Sequence, residues 1–133
     1  MISSSFFTSR LSLFILLPTI LIGTENSDVF VNPKPNTEYI FTEGGKDIVV
    51  YDAIKHSDTP VSLDGGKGTD TLILRISPAQ FEDPMFRTDM IRYLYFIKKN
   101  THKNASTGNG PEFSFQSFNL NVRNFENVKV EAL

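Results

Sequence analysis

Residues 64–74 read DGGKGTDTLIL. Three glycines and two aspartates fall within its first seven residues, and an apolar, β-branched run follows at once. Such a composition makes a turn that feeds a strand. The turn could hold a phosphate, a metal, or nothing. A Walker loop needs Gly, four residues, then Gly-Lys-Ser/Thr; here Gly66-Lys67 runs into Gly68, and position 61 is Val. An EF-hand loop wants acids at alternate places and a distal Glu, where this run offers glycines. A dinucleotide fingerprint would need a third glycine where Thr71 stands.

Relatives of the stretch occur upstream. In Gly65–Ile73 small residues lead, Asp70 stands sixth and Leu72 eighth. GTENSDVFV, Gly23 to Val31, has Gly first, Asn26 fourth, Asp28 sixth and Phe30 eighth. TEGGKDIVV, Thr42 to Val50, has Gly45 fourth, Asp47 sixth and Val49 eighth. Between these units lie NPKPNTEYIF and DAIKHSDTPVSL, each with turn residues before a short apolar run. Residues 23–75 therefore read as turn and short strand, five times over. A unit of about nine residues cannot bury its strand alone, so stacking into a parallel coil is expected. Two units complete one coil, which predicts that Asp28, Asp47 and Asp70 share one edge. The irregular turns, rich in Pro, Lys and His, would take the other.

At these residues the chain resembles the hemolysin-type, or repeats-in-toxin, calcium-binding nonapeptide proteins, with Gly65–Ile73 matching every specified position of the repeat. The resemblance implies a mainly β chain: a parallel β-roll of short nonapeptide-like coils over residues 23–75. It also implies calcium held between stacked turns. Asp28, Asp47 and Asp70 would supply carboxylate ligands. Gly23, Gly45, Gly65, Gly66 and Gly68 would let the backbone turn its carbonyls towards the ion. A bacterial source and a secreted or cell-surface setting follow from the same resemblance. On the residues alone, a Gly-Asp turn with no ion stays open.

Length and composition set bounds. The 133 residues suit a single domain, residues 23–133, with one modest core. A net charge of -2 gives no electrostatic reason to expect nucleic acid. The absence of cysteine excludes disulfides, zinc thiolates and cysteine nucleophiles. Residues 1–22 carry one Arg and then an apolar stretch broken by Pro18, too short for a stable membrane span. A signal peptide and a leading buried strand are both open readings there.

The register changes after Leu74. Ser77-Pro78 and Asp83-Pro84 are two helix starts. The main helix is expected over about 84–99, with Phe86, Met90, Tyr93, Leu94 and Ile97 on one apolar face that caps the coil. Residues 99–112 read as a loop containing the sequon Asn104-Ala105-Ser106. Phe113, Phe115, Phe118, Leu120 and Val122, then Val128 and Val130, read as strands extending the sheet. The segment NFENV, Asn124 to Val128, looks like segments that follow calcium repeats in the same family.

Catalytic signatures are missing. His56 and His102 sit in polar, turn-like contexts, and neither an HExxH helix nor a GxSxG elbow occurs. Asp83, beside Glu82, reads as a helix cap. The expectation is a secreted, non-catalytic, calcium-binding module that folds on binding the ion, within an adhesin or toxin-like protein. The alternative is a C-terminal fragment of a secreted peptidase or lipase. An unidentified cell-surface or extracellular partner is the remaining expectation.

Overall fold

A computed structural model describes residues 19–30, 37–56 and 60–133. Its strands are β1 (Thr19–Ile22), β2 (Val29–Phe30), β3 (Thr37–Phe41), β4 (Ile48–Asp52), β5 (Val61–Asp64), β6 (Thr71–Ile76), β7 (Glu112–Ser114), β8 (Leu120–Arg123) and β9 (Asn127–Ala132). The helices are α1 (Ala53–His56), α2 (Pro78–Glu82) and α3 (Pro84–Thr107). One sheet has the order β1-β3-β5-β8-β7 and the other β2-β4-β6-β9. Every pairing is parallel except β7 with β8.

The expected mainly β roll of nonapeptide coils is thereby corrected. The chain is a mixed α/β fold with two parallel-rich sheets, and α3, at 24 residues, is its longest described element. Nonapeptide coils would need three-residue strands at even spacing. The strands instead run from two to six residues, because apolar runs such as TLILRI continue their alternation past the third place. Helix α1 occupies the connection from β4 to β5, and α2 and α3 stand between β6 and β7. Residues 31–36 and 57–59, which the sequence reading gives to the opposite edge, lie outside the described residues, as does most of the 1–22 segment.

Alternation builds the core. In β6, Leu72, Leu74 and Ile76 point inward while Thr71, Ile73 and Arg75 are half-buried. Ile40, Leu63, Leu120 and Val122 answer from the other sheet. Each such side chain contributes about 1.5–3 kcal/mol by burial. Helix α3 adds Phe86, Tyr93 and Ile97, with Met90 partly buried. Leu94, expected on that face, is 54% exposed. The Tyr93 ring packs 4.8 Å from Phe113 and 5.0 Å from Phe115 between ring centres.

The helix starts have clear causes. Ser77 and Gln80 form a reciprocal capping box at α2. The Asp83 carboxylate accepts the Met85 N–H at 2.9 Å at the start of α3. The end differs from expectation: α3 runs on through residues 100–107, where a loop was expected. Nothing between Lys99 and Thr107 breaks a helix, and the first breaker, Gly108, takes a φ of 69° just beyond the last turn. Phe118 also departs from the expected strand; it lies between β7 and β8, buried beside Phe86 and Phe115. That segment is bent around Asp89 of α3, which is fully buried and accepts the N–H groups of Gln116 and Ser117 and the Ser117 hydroxyl.

Candidate functional site

Three turns of equal length join the first sheet to the second. Residues 23–28 link β1 to β2, 42–47 link β3 to β4, and 65–70 link β5 to β6. Parallel pairing puts Val29 opposite Ile48 and Ile48 opposite Thr71. The residues just before them, Asp28, Asp47 and Asp70, are therefore neighbours on one edge. A fourth turn, Asn124–Glu126, joins β8 to β9, and Thr71 lies opposite Asn127. Glu126 thus stands where an aspartate stands in the other turns.

Hydrogen bonds tie the four acids into a ladder. The backbone N–H of Asp28 donates to Asp47 Oδ1 at 2.7 Å. That of Asp47 donates to Asp70 Oδ1 at 2.8 Å. That of Asp70 donates to Glu126 Oε1 at 2.8 Å. Each carboxylate thereby secures the turn of the preceding rung. Asp28, at the open end, is different: its Oδ2 accepts the Thr24 N–H at 2.7 Å, and its side chain is only half-buried.

The second oxygen of each inner acid has no such partner. Asp47 Oδ2, Asp70 Oδ2 and Glu126 Oε2 are buried without any hydrogen bond. Residue exposures of 1%, 0% and 6% leave no solvent to replace one. Burial is the leading cause that raises the Asp47 carboxyl above its usual range, and the nearby Asp28 charge adds to it. Burial, with the charges of Asp47 and Glu126, pushes Asp70 up to about 8. Burial takes Glu126 to about 7. The site disfavours its own negative charge, which is the situation a proton or a cation relieves.

The glycines divide by role. Gly66 and Gly68 have φ of 68° and 100°, and a Cβ on either would meet the carbonyl oxygen of Glu43 or Gly45 at 2.0 Å. These turns stack too closely for a side chain. Gly45 repeats the positive φ of Gly68 one rung earlier, at 92°. Gly23 and Gly65 lead their turns, donating to the carbonyls of Phe41 and Arg123, without positive φ. In the middle turn Glu43 takes the φ that Gly66 takes in the next, at 67°.

All three aspartates and all five glycines read from the sequence thus lie in this stack of turns. Glu126 was missed. Its signal was the NFENV segment, in which an acid stands two places before Val128 as Asp70 stands two places before Leu72. Among the described residues, no group of three or more His, Asp or Glu side chains converges as a ready metal cluster. An ion here would draw on the acids of adjacent rungs together with backbone carbonyls. The donor chemistry fits: buried, unpartnered carboxylate oxygens are hard ligands. No helix among the described residues is long and apolar enough to cross a membrane. Comparison with known protein families, with curated proteins and with solved structures finds no match to this chain.

Proposed function

We propose that the chain is a non-catalytic calcium-binding module that acts outside the cell, within an adhesin or toxin-like protein, and whose folding is linked to the ion. The observation that carries this reading is the pair of buried, unpartnered oxygens on Asp47 and Asp70. Two adjacent carboxylates without a counter-charge are costly in a dry interior. A hard divalent cation removes that cost and takes six to eight oxygens, a number that carboxylates alone do not reach but turn carbonyls complete. Calcium suits irregular oxygen sets better than magnesium, which demands a near-ideal octahedron. The nonapeptide resemblance at residues 65–73 supports the same ion.

The extracellular setting rests on the nonapeptide resemblance. Extracellular calcium modules fill at roughly 10⁻⁴–10⁻³ M calcium, and the same range is expected here. Below it the inner acids must keep their protons or repel one another; above it the bound ion adds its free energy to folding. Isothermal titration of the chelator-treated 133-residue chain tests the reading. Saturable heat with calcium and little with magnesium supports it, and no heat at either ion contradicts it.

A further inference from the structure

Glu126 shares with Asp47 and Asp70 a buried carboxylate that accepts the neighbouring rung's N–H and has an unpartnered second oxygen, yet it belongs to a turn without the glycine repeat. The pairing of β6 with β9 sets it one rung beyond Asp70. Its Oε1 accepts the Asp70 N–H at 2.8 Å, repeating the bond that Asp70 makes to Asp47. The side chain is more than nine-tenths buried and its Oε2 has no partner. The turn that holds it has three residues, 124–126, where the other turns have six. A shorter turn holds a side chain that is longer by one methylene.

The surroundings are also particular. Asn124 leads this turn at a φ of 62°, with its amide bonded to Asp64 Oδ1 at 2.7 Å and to the Gly108 carbonyl at 2.8 Å. The turn is thus fastened to the end of α3. The charge of Glu126 acts on the phenol of Tyr93, whose hydroxyl is itself buried without a partner. Tyr93 lies on α3 and Glu126 beside β9, so this electrostatic influence exists only once the C-terminal third of the chain has closed over the turns.

From this juxtaposition we infer that Glu126 is a direct calcium ligand, pairing with Asp70 to hold an ion between the third and fourth turns. This rests on the calcium reading above and extends it to a residue outside the repeat. It makes one ion join segments 56 residues apart in sequence. That ion would bind only after α2, α3 and the last strands have docked.

Two measurements on the full chain test it. Glu126→Gln keeps an oxygen to accept the Asp70 N–H and removes the charge. Titration should show calcium affinity at one site falling about ten- to hundredfold, or that ion lost, with the far-ultraviolet circular dichroism of the metal-free chain unchanged. Terbium, a calcium substitute, should give tyrosine-sensitised emission in the wild type that calcium displaces. Tyr93→Phe and Glu126→Gln should each lower that emission. Wild-type calcium binding and terbium emission retained in Glu126→Gln would overturn the assignment while leaving the calcium reading intact. A wild type silent to both ions would overturn both. If Glu126→Gln does not fold, Tyr93→Phe decides alone: unchanged emission overturns the assignment.

Discussion

At the scale of single residues the acids and the glycines make opposite demands, and each has a test. The folded state raises the Asp70 carboxyl from 3.8 to about 8 and Glu126 from 4.5 to about 7, chiefly by burial. A raised pKa means that the folded chain binds more protons than the unfolded chain. The stability that those protons provide is complete below the unfolded values and drains away as pH rises through the folded ones. Metal-free protein should therefore melt at a lower temperature at about pH 8 than at about pH 5. Asp70→Asn keeps the bond to the Asp47 N–H and discards the titration. Its metal-free melting point at about pH 8 should match or exceed wild type, while its calcium response is lost. A wild type that melts alike at both pH values would show that burial is not setting these acids. The glycine test is independent. Gly68→Ala places a Cβ against the Gly45 carbonyl at 2.0 Å and forces an L residue to a φ of 100°. Gly44→Ala meets only the mobile end of Glu25, at 2.4 Å, with no positive φ. Denaturant unfolding should give a loss of about 2–4 kcal/mol for the first and under about 1 kcal/mol for the second.

Among the elements, what could be read from the sequence follows the strength of the local signal. Ser77-Pro78 and Asp83-Pro84 placed both helix starts, because a capping side chain followed by proline leaves few alternatives. The end of α3 was not legible. Residues 100–107 have the polarity of a loop, but polarity alone does not stop a helix, and Gly108 does. Leu94 fits the helical spacing of its neighbours and still faces solvent, because three aromatic rings, Phe113, Phe115 and Phe118, draw the packed face of α3 towards Phe86 and Tyr93. Asp89 gave little signal: apart from Arg92, three residues on, its partners Gln116 and Ser117 are 27 and 28 residues away. It nonetheless anchors the segment between β7 and β8 through a buried carboxylate. Asp89→Ala would leave the Gln116 and Ser117 N–H groups without their acceptor and should cost about 3 kcal/mol. Leu94→Ala should stay within about 0.5 kcal/mol. Denaturant unfolding of both variants checks the ranking, and equal losses would reject the assigned faces.

Across the whole molecule, the spacing of the Asp-bearing turns correctly brought residues 28, 47 and 70 to one edge, since parallel register depends only on equivalent positions in successive strands. The architecture built on that spacing was misjudged. A strict nonapeptide pattern accounts for the near-edge turns, but not for α1, the α2–α3 insertion or the antiparallel β7, so the molecule is a mixed α/β fold. Glu126 escaped for the same reason, because its turn obeys the register without obeying the repeat. The ladder also ranks its members. Asp47 lies between two rungs and holds the Asp28 N–H, while Asp28 ends the stack half-buried. Calcium titration should show a larger loss for Asp47→Ala than for Asp28→Ala, and equal losses would reject the stacked order. On the proposed function, an ion holds the inner acids in the fold. Thermal melting of the 133-residue chain at about pH 7.5, in chelator and then in rising calcium to about 10 mM, tests it most directly. The midpoint should climb steadily with calcium and hardly move with equal magnesium. Superimposable curves in chelator and in calcium would contradict it.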